Sequence, residues 1–259
     1  MNSRPRATPV WLRIARAYLR ASNPITYIAR RSIKSLDEKT LFAGITRNRR
    51  LCVDVGAGTS PYRQEIADCL RIDRYIAMDI APSDSTAVIA DGSRMPIATG
   101  CIQLVTSFDS IQHIPNYAGL LDEVARVLEP GGAFVVTFPF NYCECDVSDY
   151  HRWTLAGMEF DLRAHGFELL LLTPRGGRFF ALACGMNWVV QHLLPGQRQS
   201  WRMSKTAVPI VRAIVVQSLT LPTTLLQWIM LAIDRLLQND GCYMGGIAVA
   251  VKPRSRFPL

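Results

Sequence analysis

Residues 51–62 read Leu-Cys-Val-Asp-Val-Gly-Ala-Gly-Thr-Ser-Pro-Tyr, an apolar strand with one embedded acid that runs into a glycine turn and opens a helix. Gly56 and Gly58 can take positive φ and let the backbone approach a ligand closely. Asp54 lies just before the turn and offers a carboxylate to a cationic group. The stretch therefore predicts a nucleotide-like ligand that carries an ammonium group.

The glycine turn alone does not identify the ligand, because two glycines after an apolar run also occur in strand-to-helix turns that bind nothing. Two common nucleotide-binding patterns would need a third glycine, which would fall at Ser60 in one pattern and at Pro61 in the other. The downstream residues must therefore decide between them.

Acids follow the next two predicted strands. Residues 74–80 form the second strand and contain Asp79, about 20 residues after the turn, where an acid can receive ribose hydroxyls. A third strand at 87–90 ends at Asp91 and Gly92. A plain dinucleotide site does not predict this second acid.

The rest of the pattern alternates strands and helices. A helix over 117–128 has apolar residues at 120, 121, 124, 127 and 128, and it stops at a Glu-Pro-Gly-Gly turn over 129–132. The predicted strands that remain are 102–107, 133–138 and, near the end of the chain, 243–251.

The order of these elements resembles the class I S-adenosylmethionine-dependent methyltransferases. The resemblance implies an α/β, Rossmann-like fold: a seven-stranded, mostly parallel sheet with helices on both faces and an antiparallel last strand. It also implies S-adenosyl-L-methionine as cofactor. The resemblance implies that Asp54, Gly56 and Gly58 bind the methionine part of the cofactor, Asp79 the ribose and Asp91 the adenine. Ser107 and Phe108 would line the donor pocket, and Ile80 and Gly92 are further implied cofactor-binding residues.

A second block, residues 138–154, is similar to a bacterial subgroup of these enzymes that is often associated with small molecules or glycans. The residues that match are Asp149, Tyr150, Arg152 and Thr154. Glu144 stands where this subgroup often has a histidine, and Val147 stands where a proline is usual. The expected reaction is O- or N-methylation of a small-molecule, glycan or lipid-linked acceptor.

A hydroxyl acceptor needs a base, and His151, Glu144 and His113 are the catalytic candidates. His151 and Glu144 follow the fifth strand and His113 follows the fourth, at the edge where open α/β sheets bind ligands. Each has a structural alternative: the histidines can pack against neighbours, and Asp149 with Arg152 can form an ion pair that holds the loop. Thr154 is the expected N-cap of the helix that follows.

The net charge of +8 is concentrated at one end of the chain. Residues 1–50 contain 12 Lys and Arg against two acids, so the remaining residues are nearly neutral. Nucleic acid is therefore an unexpected partner. Residues 11–19 have the pattern of a basic amphipathic helix, which can pack on the domain, lie on a membrane surface or act as a transit peptide.

Residues 213–233 carry no charge and are long enough to span a bilayer, but Pro222 near the middle favours two packed helices instead. We therefore divide the chain into a basic N-terminal helical segment (1–48), a methyltransferase core (49–177), an apolar helical insertion (178–240), and a closing strand and tail (241–259). The insertion can serve as a substrate lid, a dimer face or a membrane-docking surface, and the oligomeric state stays open.

Seven cysteines and no secretory signal indicate reduced thiols and a cytoplasmic protein, and association with a membrane stays open as an alternative. No metal site is expected, because Cys143 and Cys145 have no second pair. Two alternatives stay open: a nicotinamide-dependent oxidoreductase, and a non-catalytic binding or membrane-associated protein that keeps the fold.

Overall fold

A computed structural model describes residues 24–43, 50–144, 147–192, 210–237 and 241–254. Its centre is a seven-stranded sheet in the order β3-β2-β1-β4-β5-β7-β6. The strands are β1 (Leu51–Val55), β2 (Arg74–Asp79), β3 (Val88–Ile89), β4 (Ile102–Ser107), β5 (Leu128–Pro139), β6 (Glu168–Arg175) and β7 (Gly245–Val251). β7 is antiparallel to both β5 and β6, and the other pairs are parallel. The predicted fold class is confirmed.

Helices cover both faces of this sheet. They are α1 (Pro24–Lys34), α2 (Glu38–Leu41), α3 (Arg63–Leu70), α4 (Tyr117–Val127), α5 (Leu155–Ala164), α6 (Arg178–His192) and α7 (Ile210–Leu236), with a short 3-10 helix at Ile111–His113. One apolar cluster packs α4 and α5 on the sheet, and a second packs α1, α2 and α3 on it. All six residues of β4 are buried, as expected for a central parallel strand with helices on both sides.

Two details of the predicted boundaries are wrong. The 129–132 segment was expected to be a turn, but β5 begins directly at Leu128. The segment joins the sheet, although Gly131 keeps a positive φ of +86°, because Gly131 N–H donates to the Lys252 carbonyl at 2.8 Å and Lys252 N–H donates to the Gly132 carbonyl at 2.9 Å. Pairing with the end of β7 therefore overrides the local turn preference.

The second error is at Pro222, which was expected to divide two helices. α7 is one helix of 27 residues that contains this proline. Pro222 is exposed, so the carbonyl that loses its helical partner can be hydrated there. Packing of α7 against α6 holds the part of the helix that follows the proline, where Thr223 Oγ1 donates to Asn187 Oδ1 at 2.6 Å.

Helices α6 and α7 form the apolar insertion that precedes β7. Asp234 of α7 accepts hydrogen bonds from the N–H groups of Phe179 and Phe180, at 3.2 and 2.8 Å, and so caps the start of α6. A third apolar cluster joins α6 and α7 to Ile28 of α1. In the parts of the chain listed above, no helix is long and apolar enough to cross a membrane. The amphipathic pattern at 11–19 lies outside those parts.

Candidate cofactor and acceptor site

The glycine turn between β1 and α3 has the backbone geometry that its sequence predicts. Gly56 and Gly58 have φ of +69° and +53°. The N–H groups of Gly56 and Ala57 both donate to the Met78 carbonyl of β2, at 2.9 and 3.1 Å. A Cβ at Gly56 would lie 2.5 Å from Ser110 Cβ, whereas a Cβ at Gly58 would meet nothing within 4 Å. Gly56 is therefore required for packing, and Gly58 faces open space that a ligand can enter.

Ser60 stands where related turns carry a third glycine, and its φ of +52° is in the left-handed region. The turn keeps its glycine-like conformation there despite the side chain, at a conformational cost of about 1 kcal/mol. The missing glycine therefore changes the side chain at this position and leaves the path of the backbone intact.

Asp54 lies beneath the turn at 3% exposure. Both of its carboxylate oxygens accept hydrogen bonds, one from the Tyr75 hydroxyl and the other from Thr106 Oγ1 at 2.7 Å. Burial raises the pKa of Asp54 to about 6, although both hydroxyl hydrogen bonds favour the ionised form. The structure therefore holds a costly negative charge in the central strand, directly before the glycine turn.

The buried charge of Asp54 predicts a pH dependence of stability. Its folded-state pKa of about 6 lies above the unfolded value of about 3.9, so the folded chain retains a proton that the unfolded chain has lost. The free energy of unfolding should therefore fall as pH rises through this window. Urea titrations of Asp54→Asn should lack this fall, so the variant gains about 2 kcal/mol on the wild type between pH 4 and 7.

The matched control for this pH experiment is Asp84→Asn, because Asp84 is an exposed acid in the loop after β2. It should follow the wild-type pH profile. Identical slopes for the wild type and the Asp54→Asn chain would contradict the assignment of the ionisation to Asp54.

Asp79, at the end of β2, connects the glycine turn to the loop that follows β2. Its Oδ2 accepts from Gly58 N–H and its Oδ1 accepts from Ala81 N–H, both at 2.8 Å. A carboxylate has about four acceptor positions, so each oxygen can still accept from a ligand hydroxyl. Ile80 beside it is 74% exposed, an apolar surface next to the acid. This pairing of acid and exposed apolar side chain suits a sugar joined to a flat base.

Asp91 and Gly92 follow β3. Asp91 is exposed, and its Oδ1 accepts from the N–H and the hydroxyl of Ser93 at 2.8 and 2.9 Å. Gly92 is buried, and a Cβ there would lie 2.8 Å from Val55 Cγ1. Gly92 thus allows the Asp91 loop to approach the end of β1.

Ser107 ends β4, Phe108 follows it, and both are buried. The Ser107 hydroxyl lies 2.7 Å from that of Ser110, which donates to the Val55 carbonyl at 2.9 Å. Phe108 packs edge-on against Tyr62 at 5.6 Å between ring centroids. Ser107 therefore supports the glycine turn through Ser110, whereas Phe108 contributes to the core between the sheet and α3.

The three catalytic candidates make separate contacts. His113 Nδ1 lies 3.1 Å from the Ser148 carbonyl, and His151 Nε2 lies 3.2 Å from the Pro115 carbonyl. The His151 ring also packs against the rings of Tyr117 and Trp153. The Glu144 side chain is exposed, and its backbone carbonyl accepts from the Trp188 indole at 3.3 Å. These contacts link loops to one another, and any role as base stays a prediction.

The Asp149–Arg152 ion pair is formed: two guanidinium nitrogens bind the two carboxylate oxygens, and the Asp149 side chain is 1% exposed. Arg152 Nε also donates to the Tyr142 carbonyl at 3.3 Å, which ties the loop together. Thr154 is the N-cap of α5, since its hydroxyl accepts from Gly157 N–H at 3.0 Å. The structure thus contains the ion pair between Asp149 and Arg152 that was the structural alternative for these two residues.

A network around Asp109 is not among the sequence predictions. Asp109 follows β4 with φ of +52°, and its carboxylate accepts from Arg175 Nη1, Tyr62 Oη and Thr137 Oγ1 at 2.8, 2.9 and 3.0 Å. Partial burial opposes ionisation of Asp109, but the Arg175 charge and the three hydrogen bonds hold its pKa below the usual value. Two signals were present in the sequence: an acid directly after a buried strand, and an arginine that ends an apolar one.

The described cysteines are all free thiols, and no group of three potential metal ligands occurs within the described ranges. Cys145, one of the two residues considered for a metal, lies outside those ranges. The pKa of buried Cys184 is raised to about 12, chiefly by burial, so this thiol is protonated and unreactive at neutral pH.

Comparison with known proteins agrees with this geometry. The family described as a methyltransferase domain matches residues 53–136. A Mycobacterium leprae protein named as an uncharacterized methyltransferase is 26% identical over 196 residues, which cover 66% of this chain and 71% of that protein. A relative of the same name from Mycobacterium tuberculosis is 25% identical over 199 residues, 68% of this chain and 76% of the relative.

Among solved structures, the cyclase SpnF has a similar fold with a TM-score of 0.54 and 15% identity, over 87% of this chain and 82% of that chain. The domain match begins in β1 and ends in β5, so it contains the glycine turn, Asp79 and Asp91. With the order of the sheet and its reversed last strand, this match shows that the chain contains a methyltransferase domain.

Proposed function

We propose that this chain transfers a methyl group from S-adenosylmethionine to an oxygen or nitrogen of a small-molecule, glycan or lipid-linked acceptor. The observation that carries the proposal is the Asp79 carboxylate, which holds the N–H groups of Gly58 and Ala81 at 2.8 Å beside an open glycine turn. A nucleoside donor needs an acid at this place, with space above the turn.

The residues present fit this donor. Gly58 leaves room for its methionine part, Asp79 keeps acceptor positions for the ribose hydroxyls, and the exposed Ile80 offers an apolar surface to the adenine. The Asp91 carboxylate is exposed after β3 and can accept a hydrogen bond from the adenine amino group. Bound S-adenosylmethionine supplies an activated methyl group on a sulfonium.

The protein itself contributes mainly position and charge, because methyl transfer is an in-line displacement. Asp54 acts through the Tyr75 and Thr106 hydroxyls and places negative charge below the turn, which favours a cationic donor. A hydroxyl acceptor also needs proton removal. His113, His151 and Glu144 remain our candidates for that step, and the pH profiles of His113→Asn, His151→Asn and Glu144→Gln would separate a base from a residue that only positions a loop.

Calorimetric titration of the full chain tests the donor. We expect binding of S-adenosylhomocysteine and no binding of NAD. Tight NAD binding without S-adenosylhomocysteine binding would instead identify an oxidoreductase. Mass spectrometry of extracts incubated with the chain and an isotope-labelled methyl donor would then identify the acceptor and the methylated atom.

We also propose that the insertion docks on an anionic membrane surface. Leu182, Met186 and Val189 form an exposed apolar face on α6, and Leu225 and Ile229 form another on α7. The neighbouring helix supplies positive charge: α1, which packs against α7, carries the exposed Arg31 and Lys34 and belongs to the strongly positive first 50 residues. Apolar faces beside positive charge are the combination that binds anionic lipid.

Vesicle sedimentation tests this docking. The full chain should pellet with phosphatidylglycerol vesicles and much less with phosphatidylcholine vesicles. Leu182→Asn with Leu225→Asn should weaken pelleting by about tenfold, because two apolar side chains no longer enter the lipid. Deletion of residues 1–35 should reduce the preference for anionic lipid.

Phe160→Asn is the control for sedimentation, because Phe160 on α5 is also exposed, at 72%, but lies outside the insertion. Equal pelleting of the control and the double variant would contradict docking through α6 and α7.

A further inference from the structure

Arg175, the last residue of β6, is 4% exposed. Its Nη1 donates to Asp109 Oδ1 at 2.8 Å. A guanidinium has five N–H donors, and a charged group removed from water is normally surrounded by acceptors. The hydrogen-bond partners of Nε and Nη2 therefore show whether Arg175 serves only the ion pair with Asp109 or can also bind a ligand.

One edge of the Arg175 guanidinium is without partners. Nε and Nη2 are both buried, and neither has a hydrogen-bond partner in the described residues. Their N–H groups point in parallel from the same edge of the planar group, which is the arrangement that binds two oxygens of a carboxylate or phosphate. The structure thus contains a buried, unfilled fork of two donors.

Asp109 does not fill this fork. Its Oδ1 is bound to Nη1, and its Oδ2 accepts from the Tyr62 hydroxyl at 2.9 Å. Burial, followed by the Asp109 charge and hydrogen bond, raises the pKa of Tyr62, so the phenol stays protonated and remains a donor to Asp109. The Asp109 carboxylate therefore neutralises Arg175 from one end and leaves the Nε–Nη2 edge open.

The fork lies at the same edge of the sheet as the proposed donor site. Asp109 follows β4 and Arg175 ends β6, so both lie at the carboxyl edge of the parallel strands, where α/β sheets bind ligands. Ser110, next to Asp109, packs directly against Gly56 in the glycine turn. The Asp109 side chain is 39% exposed, so the buried guanidinium adjoins a group that solvent and ligands can reach.

We propose that the Nε–Nη2 edge of Arg175 binds an oxyanion of the methyl acceptor, a carboxylate or a phosphate. That the anion belongs to an acceptor rests on the proposed function, whereas binding of the anion itself does not. The acceptor would then be an acidic molecule, anchored at Arg175 so that another of its atoms faces the donor.

The test uses the full chain saturated with S-adenosylhomocysteine and two probes, sodium acetate and inorganic phosphate, at constant ionic strength. Spectra of the chain labelled with 15N-arginine follow the Nε–H signals, and calorimetry gives the affinities. Arg175→Lys keeps the charge but removes the fork. Arg163→Lys is the matched control, because Arg163 is 57% exposed and pairs only with Glu159 in the described residues.

We expect at least one probe to shift a buried, slowly exchanging Nε–H signal that is absent from the Arg175→Lys spectrum. Arg175→Lys should weaken binding of that probe by about tenfold or more, and Arg163→Lys should leave it unchanged. A preference for acetate would indicate a carboxylate acceptor, and a preference for phosphate a phosphorylated one.

The proposal is overturned if neither probe moves a buried Nε–H signal, or if Arg175→Lys binds both probes as tightly as the wild type. If the variant does not fold, as judged by circular dichroism, the titration of the unsubstituted chain decides alone. Failure of S-adenosylhomocysteine to bind would refute the proposed function, and an Nε–H shift in the same sample would still support the anion site.

Discussion

Replacing Gly56 with alanine is expected to lower the free energy of unfolding by about 3 kcal/mol and to abolish S-adenosylhomocysteine binding. Two costs add at this position. The φ of +69° is unfavourable for any residue with a Cβ, and the new Cβ would lie 2.5 Å from Ser110 Cβ. Ser110 is hydrogen-bonded to Val55 and Ser107, so it cannot move away from the new Cβ without breaking these hydrogen bonds. Urea denaturation and calorimetry measure the two effects.

Gly100→Ala separates the two costs. Gly100 has a φ of +66°, close to that of Gly56, but a Cβ there would meet nothing within 4 Å. This control should lose only about 1 kcal/mol, the cost of the backbone conformation, and should bind S-adenosylhomocysteine normally. Equal losses in the two variants would mean that the close approach to Ser110 is not what makes Gly56 necessary.

Asp79→Ala is the second change with a large expected effect: S-adenosylhomocysteine should bind about 100-fold more weakly or worse. Hydrogen bonds from ribose hydroxyls to a carboxylate are charge-assisted, and losing two of them costs about 3 kcal/mol or more. The variant also releases the N–H groups of Gly58 and Ala81, so the turn loses its connection to the loop after β2. Calorimetry gives the affinity directly.

Asp84→Ala is the control for this loss, because it removes an exposed acid from the same loop. It should bind S-adenosylhomocysteine as the wild type does. If Asp79→Ala bound equally well, Asp79 would be a structural cap only. If that variant kept full biological activity without binding the donor, a non-catalytic role for the chain would be favoured.

Sequence reasoning predicted the elements whose signals are local. The apolar runs of β1, β2 and β4 gave strands, the periodic leucines and valines gave α4, and Thr154 gave the start of α5. The reversed last strand followed from the resemblance of the whole pattern. The glycine turn and the position of Asp79 beside it were predicted because both depend on short, fixed spacings; that Asp79 binds a ribose stays a prediction.

The parts that sequence reasoning missed depend on contacts between distant segments. Gly131 belongs to β5 because it is hydrogen-bonded to Lys252, and α7 continues past Pro222 because α6 packs along it. Arg175 and Asp109 are 66 positions apart, and nothing in either neighbourhood indicates the other. Asp54 was predicted to face a ligand, but its two hydroxyl partners come from neighbouring strands, at Tyr75 and Thr106.

The position of β6 at the edge of the sheet affects the order in which the strands can pair during synthesis. β6 is hydrogen-bonded only to β7 within the sheet, and β7 comes from the last residues of the described chain. As the chain leaves the ribosome, β1 and β2, which carry the glycine turn and Asp79, can pair early. β6, which carries Arg175, can join the sheet only after β7 has been synthesised. The half that contains the glycine turn can therefore form before the half that carries Arg175, and a chain truncated before β7 would lack the second half.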